Sequence, residues 1–342
     1  MVKNIISAGL KFLPIIVISV ALAGCSKQQS TTNVETGTIA ASSDAPTKPS
    51  SLSRTEGNTV YLTIVSHNEE PSAKRPDYLN DREFYLQNRA LLIQLVNTIS
   101  AHGAAYNFQS DWNFLQAVIR YDQGDVTKDT GGKNIVRWMA EDKGVEIDPH
   151  AHESQYNYAD VAALIEQLGV APSHTVGGFL YLPPGNPQGW EKHKAGMSGA
   201  VYPGYFWRAD ILWGASTMLH QGDDDRSSGV WRPLDLNAFT SDDPQGRLIY
   251  IGGCTSDETG VTALLGAMKA GRAPTGGFYT ATIMLVQDRL TSQDIQGLGV
   301  FIDSLAPEVD TGAVRWLKLS QVAETWTSEY GARPFRFDCG SL

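Results

Sequence analysis

The stretch VEIDPHAHE, residues 145–153, is the most informative in this sequence, because an apolar strand runs directly into two histidines flanked by acidic residues. Neutral imidazole and carboxylate groups are the ligands that hold zinc and other first-row divalent ions in proteins. Side chains two positions apart on an extended strand point to the same side. The spacing therefore predicts that His150 and His152 converge on one metal ion if the chain stays extended there.

A second strand ends in the same way. The stretch VYLTIVSHNEEP, residues 60–71, carries an apolar run into a histidine and two acidic residues. Matching ligand chemistry at two strand ends predicts one shared site for a divalent ion, expected to be zinc, with His67, Glu69 and His150 as ligands. His152 is expected as a fourth ligand or as a hydrogen-bonding support. The alternative is that these histidines are plain hydrogen-bonding residues at strand ends.

The first 25 residues have the features of a secretory signal. Lys3 and Lys11 supply positive charge, residues 12–22 form a short apolar core, and Leu-Ala-Gly-Cys ends it at Cys25. This ending resembles the lipobox of bacterial lipoproteins, which implies lipidation of Cys25 and a membrane anchor in the cell envelope, on the outer-membrane or periplasmic side. A transmembrane anchor is disfavoured, because the apolar run is well short of about 20 residues and contains Pro14.

Composition divides the rest of the chain into a linker and a domain. Residues 26–58 are rich in Ser, Thr, Ala, Gln and Pro and have almost no large apolar residues, so they are expected to form a flexible tether. Residues 59–342 suit one large α/β domain. In an oxidising compartment Cys254 and Cys339 either form a disulfide or remain buried thiols.

Charge and motif content exclude two classes of partner. The formal net charge is −10 at pH 7, and the chain has no Lys/Arg cluster of the kind that a phosphate backbone requires, so nucleic acid is not an expected partner. No G-x-G-x-x-G follows any predicted strand, so no nucleotide is expected either.

Strand and helix patterns alternate along the domain, which predicts a parallel sheet in an α/β fold. A closed or nearly closed barrel with its site at the carboxyl ends of the strands fits best, and an open doubly wound sheet is the alternative. Residues 183–246 are rich in Gly, Pro, Trp and Asp and are expected to form a long irregular insertion that walls the site. Helices are predicted at residues 81–101, 134–142, 158–168, 258–270, 292–305 and 321–329, and strands at 60–65, 105–108, 145–149, 175–182, 247–251, 278–286 and 314–319. A further helix is predicted after the cap Asp111, with Phe114, Leu115, Val118 and Ile119 on one face.

Two motifs resemble those of the polysaccharide deacetylase superfamily. Asn68-Glu69-Glu70-Pro71 is similar to the family's acidic pair after the first strand, and Asp148-Pro149-His150 is similar to its Gly-x-His motif. The resemblance implies that residues 59–342 form a distorted seven-stranded β/α barrel. The motif after the first strand also resembles the His-Asn-Asp zinc motif of retaining α-mannosidases, which use a related barrel.

The sequence departs from the deacetylase pattern at three points. The family's second histidine would fall at Ser154, whereas here the second imidazole comes earlier, at His152. Asn68 stands where the family has its general base, and an amide cannot accept a proton as a carboxylate does. The family's Arg-x-Pro-x-Gly motif is not found, although Trp231-Arg232-Pro233 resembles part of it.

These observations favour a metal-dependent hydrolase of envelope or extracellular carbohydrate that removes an acyl group from an amino-sugar polymer. Asp148, Glu70 and Glu153 are the candidates for the catalytic base. Two alternatives stay open: a metal-dependent glycosidase, which needs two carboxylates flanking the sugar, and a non-catalytic lipoprotein that binds a glycan or a partner. Four tryptophans of the insertion, Trp190, Trp207, Trp213 and Trp231, are candidates for stacking on sugar rings or for packing in the core.

Overall fold

The strand that leads to the first histidine is the centre of the main sheet. The structure is a computed structural model, and it describes residues 58–69, 71–152, 155–178, 187–214 and 222–342. Strand β1 (Val60–His67) is buried along its whole length. A continuous run of mostly apolar and β-branched residues is what a parallel strand covered on both faces requires.

Helices and strands alternate after β1, and several helices begin at a capping side chain. Asp81, Asp111 and Asn157 accept hydrogen bonds from backbone N–H groups of the first turns that follow them, which fixes where those helices start. In chain order the elements are α1 (Arg82–Ala101), β2 (Tyr106–Ser110), α2 (Trp112–Tyr121), α3 (Ile135–Lys143), β3 (Glu146–Pro149), α4 (Tyr158–Gln167), β4 (Thr175–Val176), α5 (Pro187–Ala195), β5 (Met197–Ser198), β6 (Phe206–Trp207), β7 (Ile211–Trp213), β8 (Ser227–Trp231), β9 (Ile249–Gly253), α6 (Glu258–Lys269), β10 (Tyr279–Val286), α7 (Ser292–Ser304), α8 (Ala306–Asp310), β11 (Val314–Trp316), α9 (Leu319–Tyr330) and β12 (Phe335–Asp338).

Two five-stranded sheets carry the fold. The first has the parallel order β10-β1-β2-β3, and β11 also pairs in parallel with β1. The second has the order β12-β8-β9-β7-β4, in which β4, β7 and β9 are parallel and β8 and β12 are antiparallel to their neighbours. The predicted α/β class with a parallel sheet is therefore confirmed.

The two sheets meet along both edges of the first sheet. A parallel bridge between His150 and Gly177 joins the end of β3 to the end of β4. On the other side, the Thr280 hydroxyl in β10 donates to the Gly252 carbonyl in β9 at 2.7 Å. The backbone ladders of the described strands form two sheets, and a closed seven-stranded barrel stays a prediction.

The middle of the chain departs from the expected irregular insertion. Residues 183–246 include β7 and β8, which are fully buried strands of the second sheet. A three-residue strand such as β7 is too short to show a periodicity, and Gly229 interrupts the apolar pattern of β8. This region therefore builds part of the core as well as loops.

Two other ranges differ from prediction. The strand expected at residues 175–182 is assigned only over Thr175–Val176, and residues 179–186 lie outside the described part. The strand expected at 314–319 ends at Trp316, because α9 already begins at Leu319.

The C-terminal tail is attached to the second sheet by a disulfide. Cys254, directly after β9, is bonded to Cys339, directly after β12, with 5.4 Å between their Cα atoms. No helix in the described part of the chain combines the length and apolar character needed to cross a membrane. The predicted signal peptide, Cys25 and nearly all of the tether, residues 1–57, lie outside the described residues.

Candidate metal centre

Parallel pairing brings the two predicted strand ends together. β1 pairs with β2 and β2 pairs with β3, all in parallel, so their carboxyl ends lie at one edge of the sheet. His67 is the last residue of β1 and His150 directly follows β3. The rings of His67 and His150 stack with their centroids 5.0 Å apart.

Three side chains converge at this edge, namely Glu69, His150 and His152. Each offers one ligand atom, and these atoms all lie within 4.8 Å of one another. Nε2 of His152 lies 2.7 Å from Oε2 of Glu69. His67, predicted as a ligand, lies beside this set, with its Nε2 3.4 Å from Oε1 of Glu69. His152 is therefore one of the three converging side chains, whereas His67, which the sequence predicted as a ligand, is not.

A backbone carbonyl determines which nitrogen of His150 can bind a metal. Nδ1 of His150 lies 2.7 Å from the Gly177 carbonyl oxygen. Because a carbonyl only accepts hydrogen bonds, Nδ1 carries the proton, and the lone pair of the neutral ring is on Nε2. This pairing of one ring nitrogen with a carbonyl is the usual support of a metal-ligating histidine.

The Glu69 carboxylate is surrounded by positive and hydrogen-bonding groups. Burial on its own would raise the pKa of Glu69, but the His152 hydrogen bond and the charges of the three histidines lower that pKa to about 2. Nη1 of Arg75 also lies 3.0 Å from Oε2 of Glu69. The carboxylate is therefore ionised at neutral pH, as a metal ligand must be.

The donor set fits a divalent first-row ion. A tetrahedral zinc ion with bonds of about 2.0–2.2 Å holds its ligand atoms about 3.4 Å apart. The three atoms here already lie within 4.8 Å of one another, so small side-chain movements suffice. Two imidazoles and one carboxylate leave a fourth position for water or substrate, which is the ligand count of catalytic zinc sites.

A cavity of about 180 Å³ is lined by His67, whose ring stacks on that of His150. Gly178, which follows the His150–Gly177 bridge, has a φ of +62°, and a Cβ there would lie 2.6 Å from Cε1 of His150. Only glycine can occupy this position without displacing the ring. The cavity is lined by His67, Gly178, Trp213, Gly214, Asp225, Arg226, Thr255, Ser256 and Met284.

Asp148, which was predicted as the catalytic base, is enclosed in the protein interior. Its carboxyl group is fully buried and accepts hydrogen bonds from Asn107, Gln109 and Ser173. Burial and the charge of Glu146 raise the pKa of Asp148 well above its usual value. A general base must reach water or substrate, and this enclosed carboxyl group does not fit that role.

Three other residues of the two motifs are Glu70, Glu153 and Asn68. Glu70 and Glu153, the other predicted bases, lie outside the described residues. Asn68 is fully buried; its amide donates to Oε1 of Gln287 at 2.6 Å and its carbonyl oxygen accepts from the Tyr78 hydroxyl at 3.0 Å. Asn68 therefore fixes the turn after β1 through its own hydrogen bonds.

The tryptophans of the middle region are packing residues. Trp190, Trp207, Trp213 and Trp231 are at most 3% exposed. Nε1 of Trp207 donates to the Ser173 carbonyl and Nε1 of Trp231 to the Phe239 carbonyl. Their burial does not fit stacking on a sugar in the cavity, although Trp213 lines one of its walls.

Sequence reasoning missed three residues of the site: Arg75, Gly178 and Asp225. Gly177 and Gly178 lie inside the strand predicted at residues 175–182, and glycine within a strand indicates close approach of another group to the backbone, so this signal was available for Gly178. Arg75 and Asp225 come from segments with no recognisable motif, and only the folded chain brings Arg75 to Glu69 and Asp225 to the cavity wall.

No protein-family model and no curated protein matches this chain. One similar solved structure is a 4-alpha-glucanotransferase from Thermococcus litoralis, with a TM-score of 0.47 and 8% identity over 79% of this chain and 41% of that chain. A second is a GH57 branching enzyme from Thermococcus kodakaraensis, with a TM-score of 0.45 and 11% identity over 78% of this chain and 71% of that chain. A third is a predicted polysaccharide deacetylase from Mycobacterium smegmatis, with a TM-score of 0.42 and 13% identity over 80% of this chain and 92% of that chain. The chain thus spans about two fifths of the glucanotransferase. Their names describe carbohydrate-processing activities, but with TM-scores below 0.5 these likenesses carry no argument about this chain.

Proposed function

We propose that this chain is a metal-dependent hydrolase of carbohydrate and that it removes an acyl group from an amino sugar. The observation that carries the proposal is the convergence of Glu69, His150 and His152 at the edge of the parallel sheet, beside an open cavity. The motif resemblance to polysaccharide deacetylases supports the choice of reaction.

The roles of the side chains follow from their contacts. Nε2 of His150 and of His152 and one oxygen of Glu69 would hold the ion, which we propose to be zinc, and a bound ion would supply Lewis-acid activation of a carbonyl group and of water. His67 lies beside this cluster and lines the cavity, where its ring would contact a bound acyl group.

We also propose that the domain works at the cell envelope. The lipobox-like sequence ending at Cys25 would place a lipid anchor at the start of the mature chain. The polar residues 26–58 would then tether the domain to the membrane within reach of extracellular or envelope glycans.

One observation favours a second candidate function. The guanidinium of Arg75 contacts the same Glu69 oxygen that accepts from His152, and a fixed positive charge next to the ligands opposes the binding of a cation. In that case the cluster is an ion-pair network, and the chain is a non-catalytic lipoprotein that binds a glycan or a partner.

Metal content and acyl release together test the proposal. The full chain, purified without chelator, should contain about one zinc ion per molecule and release acetate from acetylated amino-sugar oligosaccharides. Glu69→Gln should lose both properties, whereas the control His174→Gln, which changes an exposed histidine elsewhere, should keep both. A parent protein that neither retains nor takes up zinc would support the non-catalytic candidate.

A further inference from the structure

One acidic side chain stands out in the cavity wall. Among the described residues that line the cavity, Asp225 is the only carboxylate, and it shares this space with His67 and Gly178. We propose that Asp225 is the catalytic residue that transfers the proton during hydrolysis; this inference rests on the proposed hydrolase function.

The backbone around Asp225 holds the carboxylate in place. Its Oδ2 accepts from the Gly222 N–H at 3.2 Å, and its own carbonyl oxygen accepts from the Thr255 N–H at 2.9 Å. The neighbouring Asp224 accepts from the Tyr250 hydroxyl at 3.0 Å and is buried. Asp224 is thus fixed in the core while Asp225 lines the cavity.

The turn that buttresses Asp225 has an unusual backbone. Cys254, Thr255 and Ser256 have φ values of +51°, +70° and +56°, although none of them is glycine. Consecutive left-handed residues of this kind are unfavourable and persist only where the surrounding structure enforces them, most often at functional sites. The disulfide from Cys254 to Cys339 holds one end of this turn, and its other residues line the cavity.

The electrostatic surroundings suit proton transfer near neutral pH. Burial, and then the negative charge of Asp224, raise the pKa of Asp225 to about 7, partly offset by the Gly222 hydrogen bond. Among the described residues, the other titratable or charged side chains that line the cavity are His67 and Arg226, and Arg226 pairs with Asp223 at 2.6 Å. A carboxyl group with a pKa near the working pH can both accept and return a proton.

The proposed step uses one water molecule and balances without another reactant. The Asp225 carboxylate takes a proton from water as the water oxygen forms a bond to the acyl carbon. The C–N bond of the amide then breaks, and Asp225 returns the same proton to the leaving nitrogen. The products are a carboxylic acid and a free amino sugar, and Asp225 is again ionised.

The test compares Asp225→Asn with Asp125→Asn in the full chain, using acetylated amino-sugar oligosaccharides at saturating zinc. Asp225→Asn should lower kcat by about 10²–10⁴-fold, the usual contribution of general base catalysis, with zinc content unchanged. Asp125 is exposed and pairs with Lys128, so its variant should behave like the parent.

A pH profile separates catalysis from a structural role. In the parent, kcat/KM should increase with pH, with the midpoint of the increase near neutrality. Asp224→Asn should move this midpoint to lower pH, because the substitution removes the like charge beside Asp225. If an active parent and Asp225→Asn show the same turnover and the same midpoint, the role of Asp225 is wrong while the hydrolase function stands. If the parent releases no acetate from these substrates, the hydrolase function fails and this role fails with it.

Discussion

At the scale of single residues, Glu69 determines the chemistry of the site, because its carboxylate lies within 3.4 Å of two histidines and an arginine. The His152 hydrogen bond and the nearby histidine charges lower the pKa of Glu69 to about 2, so this carboxylate is ionised at neutral pH. The histidines and the arginine compete for the charge of this anion, and a divalent ion would have to displace part of that interaction.

Removing the competing cation should tighten metal binding. Arg75→Gln is expected to lower the Kd for zinc by roughly three- to tenfold, because a partly exposed charge near the ligand carboxylate no longer repels the ion. Isothermal titration of the metal-free protein measures this, with the exposed Lys74→Gln as the matched control. Weaker binding in Arg75→Gln would mean that the arginine instead orients Glu69 for the metal.

The glycine next to the histidines gives a second test. Gly178→Ala places a Cβ 2.6–2.7 Å from the His150 ring and should weaken zinc binding about 10- to 100-fold, as disturbance of a ligand's support usually does. Gly331→Ala is the matched control, because Gly331 has nearly the same φ, +63°, but no atom within 4 Å of the new Cβ. Equal affinities in both variants would show that the close approach of Gly178 does not matter for the metal.

The raised pKa of Asp225 also affects stability. Unfolding returns this carboxyl group to its ordinary pKa of about 4, so between about pH 4 and pH 7 the folded state binds more protons than the unfolded state. The free energy of unfolding of the metal-free parent should therefore fall relative to Asp225→Asn as the pH rises through this range. Urea unfolding at several pH values measures the difference. A difference that does not change with pH would contradict the raised pKa.

At the scale of elements, the sequence predicted the regular parts of the fold and missed the short ones. Helix α1 and strand β1 have long periodic patterns, and their predicted positions agree with the structure within a few residues. Strand β7 has three residues, and β8 contains a glycine and two serines, so tertiary pairing rather than local pattern determines both. The position of Asp225 depends on β8, so this carboxylate was not predictable from the sequence.

The disulfide connects two elements that are far apart in sequence. Cys254 and Cys339 are separated by 85 residues, so the bond restricts a long loop of the unfolded chain. The double variant Cys254→Ser with Cys339→Ser should lose about 2–5 kcal/mol of unfolding free energy in urea titrations. A reductant should bring the parent to the same value and leave the variant unchanged. Unfolding curves of parent and variant that coincide without reductant would show that the bond adds no stability.

At the scale of the whole molecule, the candidate site lies where the two sheets meet. Glu69, His150 and His152 follow strands of the first sheet, whereas Asp225 precedes β8 and residues 254–256 follow β9 in the second sheet. The sequence predicted that Glu69, His150 and His152 lie close together, because they follow two recognisable strands. It could not predict the cavity wall formed by Asp225, Thr255 and Ser256, because that wall depends on how the second sheet packs against the first.

The most direct test of the metal centre is a crystal structure with zinc, using anomalous scattering measured on both sides of the zinc absorption edge. We expect a peak about 2.0–2.2 Å from Nε2 of His150, from Nε2 of His152 and from an oxygen of Glu69. In His150→Ala crystals grown in the same way, this peak should be absent. A parent structure with the ion pairs of Glu69 intact and no zinc peak among these three side chains would show that the cluster is an ion-pair network and not a metal centre.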